Sequence, residues 1–170
     1  YFSPSIMNCC ILTIGDELLQ GFTVDTNSSW ISKHLYPYGI LTSNILSVGD
    51  DRKAINKALT FTVTEKFNFV FITGGLGPTH DDITVDVFKK YFNLTEQVDK
   101  NYLLELNIKF KQLGISMPDI NINQAIILNE CQILNNSYGT ARGLYYKYNN
   151  INFFILPGVP KEVQGIFLDE

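Results

Sequence analysis

The sequence predicts an α/β fold in which a mostly parallel sheet is covered by helices on both faces. Short apolar runs that fit buried strands alternate with amphipathic segments through the first part of the 170-residue chain. This alternation is typical of β-α-β crossovers, which place successive strands in parallel. Hydrophobic residues make up 45% of the chain and charged residues 18%. This apolar content is enough for the hydrophobic core of one domain of ordinary size. We expect a single domain at 7–170 and interpret 1–6 as a cloning remnant or a short extension.

Glycine, proline and aspartate mark the ends of the predicted elements in this first part. Gly15 stops the first strand, Pro37 and Gly39 close the first helix, and Asp50 with Asp51 opens the second helix. In chain order we predict strands at 8–14, 41–48 and 67–73, and helices at 25–35, from 50 onward, through 85–92 and at 98–113.

After residue 125 the pattern changes to short strands separated by turns. Asn149-Asn150 between the last two strands indicates a hairpin. Pro160 opens a terminal helix, since proline is tolerated at the first helical position. The strands of this part are predicted at 126–128, 132–134, 144–147 and 152–156.

Charge and cysteine content argue against several classes of protein. The chain has 13 basic and 17 acidic residues, a net charge of −4, whereas binders of nucleic acid or anionic membranes are usually basic. We therefore expect no nucleic acid and no membrane as partner. We interpret Cys9, Cys10 and Cys131 as reduced thiols of a cytoplasmic protein. The adjacent cysteine pair and the presence of only two histidines argue against a structural zinc site.

Three unusual segments share one topological position, directly after a predicted strand. They are Gly15-Asp16-Glu17, the stretch 73–84 and Pro157-Gly158. In an open parallel sheet, ligands bind at the carboxyl ends of the strands. If these strands are parallel, the three segments lie on one rim, and this rim is where we expect the ligand.

The glycine-rich part of the stretch 73–84 has the features of a phosphate-binding loop. Gly74, Gly75 and Gly77 allow backbone amides to approach an anion closely. Asp81 and Asp82 follow, and their carboxylates would repel a phosphate unless a divalent cation lay between them. The loop therefore indicates a metal-bridged phosphate or pyrophosphate ligand. No lysine follows the glycines, which argues against a P-loop NTPase.

Each of these acidic residues also has a purely structural interpretation. Asp81 or Asp82 could cap the following helix, and spacing alone weighs this equally with metal binding. Asp16 and Glu17 fit either an exposed acidic turn or a second carboxylate pair that faces the loop. Asn27 fits either a site residue or a helix start.

Six motifs in a fixed order resemble a known family. They are Ile14-Gly15-Asp16-Glu17-Leu18-Leu19-x-Gly21, Val24-Asp25-Thr26-Asn27, the stretch 73–84, Asn121-x-x-Gln124-Ala125, Asn136-x-x-Gly139-Thr140-Ala141-x-Gly143 and Leu156-Pro157-Gly158-Val159-Pro160-Lys161-Glu162. The pattern resembles the molybdopterin-binding (MoCF) superfamily and, more closely, the amino-terminal domain of CinA-type competence/damage-inducible proteins. The resemblance covers nearly everything from Met7 to Phe167.

The resemblance implies a three-layer α/β/α sandwich with a mostly parallel sheet and a nucleotide or pterin ligand at its rim. It also implies metal-dependent hydrolysis of the pyrophosphate of a dinucleotide-like substrate such as ADP-ribose, with magnesium or cobalt and also potassium as candidate cofactors. A homo-oligomer, either a dimer or a trimer, is a further expectation. The catalytic candidates are Asp82, Asp81 and Glu17, with Asp81 and Asp82 as metal ligands. The ligand-binding candidates are Gly15, Asp16, Asn27, Gly74, Gly75, Gly77, Thr84, Gly139, Thr140, Pro157 and Gly158.

The sequence departs from the family pattern at positions that affect the positive charge available to a phosphate ligand. The family often has basic residues where Ile122 and Asn123 stand, and proline where Arg142 stands. Arg142 and Lys161 are the candidates for phosphate charge. Two alternatives to hydrolysis therefore stay open: a non-catalytic molybdopterin- or nucleotide-binding module, and an oligomerisation or regulatory domain of a longer CinA-type protein. CinA-type proteins also carry a deamidase domain that has no counterpart in this sequence, so we expect a truncated chain or a stand-alone domain without that activity.

Overall fold

A six-stranded sheet and a separate two-stranded ribbon form the framework of the protein in the computed structural model, which describes residues 7–77, 79 and 82–170. The interpretation of 1–6 as an extension concerns residues outside these ranges. The strands are β1 (Met7–Ile14), β2 (Ile40–Val48), β3 (Phe69–Thr73), β4 (Glu96–Val98), β5 (Ile126–Leu128), β6 (Gln132–Leu134), β7 (Gly143–Tyr148) and β8 (Ile151–Leu156). The helices are α1 (Asp16–Leu19), α2 (Thr26–Leu35), α3 (Arg52–Thr64), α4 (Thr84–Phe92), α5 (Lys100–Gln112) and α6 (Pro160–Asp169), and 3-10 helices cover Tyr36–Tyr38 and Asp119–Ala125.

The order of the strands in the main sheet is β2-β1-β3-β8-β7-β6. The strands β2, β1, β3 and β8 are parallel to one another, whereas β7 runs antiparallel to both β8 and β6. The strands β4 and β5 pair with each other outside this sheet. The expectation of a mostly parallel sheet is therefore confirmed. The order also places β1, β3 and β8, which precede the three predicted site segments, side by side.

Side chains along β1 alternate between two apolar clusters, which explains why helices cover both faces of the sheet. Cys9 and Ile11 pack with α2 and α6, whereas Cys10 and Leu12 pack with α3 and α4. All four side chains are fully buried. A continuous apolar run is what a parallel strand needs when both of its faces are covered. The three-layer α/β/α sandwich is confirmed.

The hairpin prediction holds, while the start of the predicted helix at 98–113 is wrong. Asn149 has a left-handed φ of 52° in the turn that joins β7 to β8. Val98 belongs to a strand because it pairs with Ile126. Asp99 then caps α5 by accepting a hydrogen bond from the Tyr102 N–H at 3.1 Å. A strand of three residues has no periodicity to recognise, and its partner is far away along the chain.

The cysteines are free thiols, as expected from their number and spacing. Burial raises the pKa of Cys9, Cys10 and Cys131 to about 12. These thiols are therefore protonated at neutral pH and are poor nucleophiles. None of the helices within the described ranges is long and apolar enough to cross a membrane.

Candidate functional site

The loops that follow the four parallel strands meet along one edge of the sheet. Ile14 at the end of β1 lies beside Val48 of β2, and Thr73 of β3 lies beside Leu156 of β8. The loops after these strand ends therefore form one rim, where α/β proteins commonly bind ligands. The three predicted segments converge there, and a fourth segment, Gly49-Asp50 after β2, joins them.

The rim surrounds a cleft of about 620 Å³, a volume within the usual range for small-molecule sites. Asp16, Asn27, Thr84 and Gly139 lie around this cleft and do not line it, and the predicted role of Asp81 concerns a residue outside the described ranges. The other predicted site residues all line the cleft: Gly15, Glu17, Gly74, Gly75, Gly77, Asp82, Thr140, Pro157 and Gly158.

The backbone of the glycine loop, Gly74 to Gly77, is fixed by its neighbours. Gly74 and Gly75 have left-handed φ values of 106° and 66°, which other residues adopt only at a cost in free energy. A β-carbon on Gly74 would collide with the backbone oxygen of Ile14, and one on Gly75 would collide with Oγ1 of Thr84. The Thr84 hydroxyl donates to the Gly74 oxygen at 2.9 Å, and Thr84 is 1% exposed. Thr84 thus shapes the loop from the protein interior.

Asp82 binds Thr79, which follows the glycine loop, and faces the cleft. Its Oδ2 accepts hydrogen bonds from the Thr79 N–H at 2.8 Å and from the Thr79 hydroxyl. The alternative that Asp82 caps the following helix is wrong, because α4 begins after Ile83 and no side chain caps it. A β-carbon on Gly77 would lie 2.6 Å from Oδ2 of Asp82, so this glycine makes room for the carboxylate.

A cluster of carboxylates, which we call the acidic edge, lies on the rim beside the glycine loop and comprises Asp16, Glu17, Asp50 and Asp82. The Asp16 N–H donates to Asp50 Oδ2 at 3.1 Å, and the Asp50 N–H donates to Asp16 Oδ1 at 3.2 Å. Burial raises the pKa of Asp50, the hydrogen bond from Asp16 opposes this shift, and the negative charges of the other three carboxylates raise the pKa further. A bound cation would relieve this mutual repulsion.

Sequence reasoning missed Asp50 as a site residue and assigned it to a helix start. The residue that caps α3 is Asp51, which accepts from the Ala54 N–H at 2.8 Å. The sequence did contain a signal for Asp50, since an aspartate two residues beyond a parallel strand lies at the edge where ligands bind.

Asn27 connects three elements beneath the rim. Its Nδ2 donates to Thr73 Oγ1 at 3.1 Å and to the Gly158 oxygen at 2.9 Å. The Thr73 hydroxyl in turn donates to the Pro157 oxygen at 2.6 Å. These bonds join the start of α2 to the ends of β3 and β8. Because both amide protons of Asn27 are used within the protein, its side chain positions the rim.

A second wall of the cleft comes from the segment around Thr140 and the first turn of α6. The Thr140 hydroxyl accepts from Gln124 Nε2 at 2.8 Å, and its carbonyl accepts from the Tyr102 hydroxyl at 2.8 Å. Glu162 lines this wall, and Asn136 Nδ2 donates to its Oε2 at 2.6 Å. Sequence reasoning quoted Glu162 within a motif and missed it as a site residue. Its position in the first turn after the last parallel strand was the available signal.

The two basic residues considered for phosphate charge do not line the cleft. Arg142 Nη1 donates to Asp99 at 2.7 Å, and its guanidinium lies 3.6 Å from the centre of the Tyr102 ring. Lys161 lies 5.4 Å from the centre of the Tyr138 ring. Among the described residues that line the cleft, none is lysine or arginine. The cleft therefore offers backbone amides to an anion and carboxylates to a cation.

Comparisons with known proteins agree with this geometry. The profile of the family described as "Probable molybdopterin binding domain" matches residues 10–169. The chain is also 34% identical to CinA from Thermoplasma acidophilum, a crystal structure described as having unknown function, with a TM-score of 0.83 over 95% of this chain and 94% of that one. The chain belongs to the CinA-like molybdopterin-binding family.

Further relatives of this CinA-like domain show how much of the chain, and how much of each relative, the similarity covers. A CinA-like protein from Cytophaga hutchinsonii is 40% identical over 159 residues, which cover 94% of this chain. The chain spans 38% of the length of that relative. The molybdopterin biosynthesis enzyme MoaB from Thermus thermophilus superposes with a TM-score of 0.60 over 96% of this chain and 90% of that one at 18% identity, which supports the fold alone.

Proposed function

We propose that the cleft binds a nucleotide- or pterin-containing pyrophosphate and, with a divalent cation, hydrolyses its pyrophosphate bond. The observation that carries the proposal is a glycine loop that lies beside carboxylates, with no lysine or arginine among the described lining residues. The loop amides attract an anion, whereas the carboxylates repel it. A cation between the anion and the carboxylates would remove this repulsion. ADP-ribose is the first substrate to test, because the resemblance to CinA-type domains implies it.

The carboxylates fit a cation that is shared with the ligand. Within the described ranges there is no group of three histidine, cysteine, aspartate or glutamate side chains that could hold a metal ion by itself. Magnesium is commonly bound through one or two carboxylates together with substrate phosphates. We assign Asp82 and Asp81 as the cation-holding residues, with Glu17 and Asp50 beside Asp82. Magnesium or cobalt at this place would neutralise phosphate charge and lower the pKa of a bound water.

The protein would position the pyrophosphate and accept a proton. The N–H groups of the glycine loop would bind phosphate oxygens and stabilise the negative charge that develops during the reaction. Asp82 Oδ2 is engaged by Thr79, and Asp82 would be occupied with the cation. Glu17, which also lines the cleft, would then take the proton of the attacking water. The water oxygen bonds to phosphorus, and the bridging oxygen leaves with its electron pair. ADP-ribose would thus give AMP and ribose 5-phosphate.

A non-catalytic binding module is the second candidate. The description of the matching family as a probable molybdopterin binding domain favours it. In this case the same glycine loop would hold a pterin or nucleotide without cleaving it, in keeping with the description of the family. The third interpretation, an oligomerisation or regulatory domain, and the homo-oligomeric state stay predictions.

Release of AMP distinguishes the two candidates. The chain is incubated with ADP-ribose, and separately with FAD and NAD, in buffer that contains potassium and either magnesium or cobalt, and the products are separated by chromatography. We expect AMP from the parent and a rate about 100-fold lower from Asp82→Asn, which keeps the size of the side chain. Glu65→Gln is the matched control, because Glu65 is exposed in the loop before β3, at the opposite end of the sheet.

Each outcome of this assay has a distinct meaning. AMP release that is normal in Glu65→Gln, lost in Asp82→Asn and abolished by EDTA supports cation-dependent hydrolysis. Equal rates in the parent and in Asp82→Asn would remove Asp82 from the mechanism. If no AMP forms from any substrate while a nucleotide still raises Tm, the binding module is the better description.

A further inference from the structure

The carboxylate of Glu162 is held in one place at the second wall of the cleft. Asn136 is 8% exposed, and its Nδ2 donates both to Glu162 Oε2 at 2.6 Å and to the Ala141 oxygen at 2.8 Å. Both amide protons are therefore used, so Asn136 cannot turn away without losing two hydrogen bonds. The carboxylate is fixed by a buried side chain that is itself fixed by the backbone.

Two glycines allow this close approach between α6 and the segment before Thr140. A β-carbon on Gly139 would lie 2.6 Å from Glu162 Oε1, so any other residue there would displace the carboxylate. A β-carbon on Gly165 would collide with the ring of Tyr138, so this glycine lets the ring pack against α6. The position of Glu162 thus depends on Asn136 and Gly139, whereas Gly165 makes room for the neighbouring Tyr138 ring.

Glu162 is a half-buried carboxylate that is not one of the four residues of the acidic edge. Burial raises the pKa of Glu162, and the hydrogen bond from Asn136 opposes the shift. The ion pairs within the described ranges do not include Glu162. A half-buried carboxylate without a cation is costly unless it accepts hydrogen bonds. The described contacts supply one donor, whereas a carboxylate has about four acceptor sites.

We propose that Glu162 determines the specificity of the cleft by accepting a pair of hydrogen bonds from two adjacent donors of the ligand. The inference rests on the proposed function, because it concerns the same nucleotide or pterin. Two parts of such ligands carry adjacent donors: the 2′,3′-diol of ribose, and the neighbouring N–H and NH₂ groups that guanine and pterins share. Either pair matches the two oxygens of a carboxylate.

Calorimetric titration with four nucleoside diphosphates in magnesium buffer tests the inference. ADP is compared with 2′-deoxy-ADP, which lacks one hydroxyl of the diol, and GDP with IDP, which lacks the amino group. Chromatography verifies that each nucleotide stays intact. In the parent, we expect one comparison to favour the complete donor pair by about 10-fold, the lower range for a hydrogen bond to a charged group. In Glu162→Gln this preference should disappear, because the amide replaces one acceptor with a donor.

Two further variants control for charge and for folding. Gly139→Ala keeps the carboxylate and displaces it, so it should lose the same preference as Glu162→Gln. Glu65→Gln removes an exposed carboxylate at the far end of the sheet and should keep the preference of the parent. Circular dichroism and Tm verify that each variant is folded. Glu162→Gln is expected to fold, because burial already disfavours the charge of Glu162.

The outcomes separate this inference from the proposed function. Loss of the ADP preference in both cleft variants identifies the ribose diol as the donor pair, and loss of the GDP preference identifies the N–H edge. If the parent binds the nucleotides without either preference, or if Glu162→Gln keeps the preference, Glu162 has no specificity role while the ligand class stands. If the parent binds none of the four, the nucleotide class of ligand fails and the role of Glu162 in nucleotide specificity fails with it.

Discussion

Replacing Thr84 with valine removes one hydrogen bond beneath the glycine loop and keeps the shape of a buried side chain. Thr84 is 1% exposed, and its hydroxyl donates to the Gly74 oxygen at 2.9 Å. Gly74 is buried as well. Among the described residues, the Thr84 hydroxyl is the only hydrogen-bond donor to the Gly74 carbonyl. Thr84→Val therefore leaves a buried carbonyl without a partner among the residues that the structure describes.

The expected loss of stability follows from this unpaired carbonyl. A buried acceptor without a donor costs about 1–3 kcal/mol. With a urea dependence of about 2 kcal/mol per M, the midpoint of unfolding should fall by roughly 0.5–1.5 M. The loop would also lose the contact that holds Gly74 in its left-handed conformation. We therefore expect weaker ligand binding in Thr84→Val in addition to lower stability.

Urea unfolding and nucleotide titration of the same variants measure both effects. Thr84→Ser is the matched control, because it keeps the hydroxyl and loses only a buried methyl group, at a cost of about 0.5–1.5 kcal/mol. The serine variant should therefore bind the ligand like the parent. If Thr84→Val unfolds at the same urea concentration as the parent, or if it binds as well as Thr84→Ser, the hydroxyl does not shape the loop.

Two further predictions concern carboxylates whose pKa values are shifted. Asp50→Asn should raise Tm at about pH 7 in cation-free buffer. The folded protein raises the pKa of Asp50 above its ordinary 3.8, so the contribution of Asp50 to stability is full below that pH and is lost as pH rises through the folded pKa. A Tm below that of the parent at about pH 7 would contradict this reasoning. Arg142→Lys should lower the free energy of unfolding by about 1–3 kcal/mol at about pH 7, because lysine cannot both pair with Asp99 and stack on Tyr102. The Arg142 side chain lowers the pKa of Asp99, so its contribution is present above the ordinary 3.8 and is lost as pH falls through the folded pKa. Urea unfolding at about pH 7 and about pH 2 should therefore show a smaller loss in acid, and equal losses would exclude the ion pair as the cause.

The glycine loop and the rim could be predicted because their signals are local. The apolar run of β1 ends at Gly15, and the run of β3 ends just before Gly74, so strand ends and loops were visible in the sequence. The rule that ligands bind at the carboxyl ends of parallel strands then brought the loops together. Asp50 was missed because an acidic residue ahead of a helix is the usual sign of a cap. Only the pairing of β1 with β2 brings it beside Asp16.

The side chains whose partners are distant in sequence could not be assigned from the pattern. Glu162 is held by Asn136, 26 positions away, and Arg142 is paired with Asp99, 43 positions away. Neither spacing belongs to a helix turn or a strand. As a result, Arg142 looked available for a phosphate, whereas the structure pairs its Nη1 with Asp99 and places its guanidinium against the Tyr102 ring.

The sequence by itself determined the α/β class, most of the strands and helices, and the glycine loop at the end of β3. These features depend on hydrophobic periodicity and on the backbone freedom of glycine, which are properties of neighbouring residues. The tertiary structure decided which carboxylates form the acidic edge, which basic side chain is already paired, and which glutamate faces the cleft. The strength of a charge–charge interaction and the burial of a side chain depend on the distance between segments that are far apart in the chain. Only the packing of the sheet and helices sets that distance.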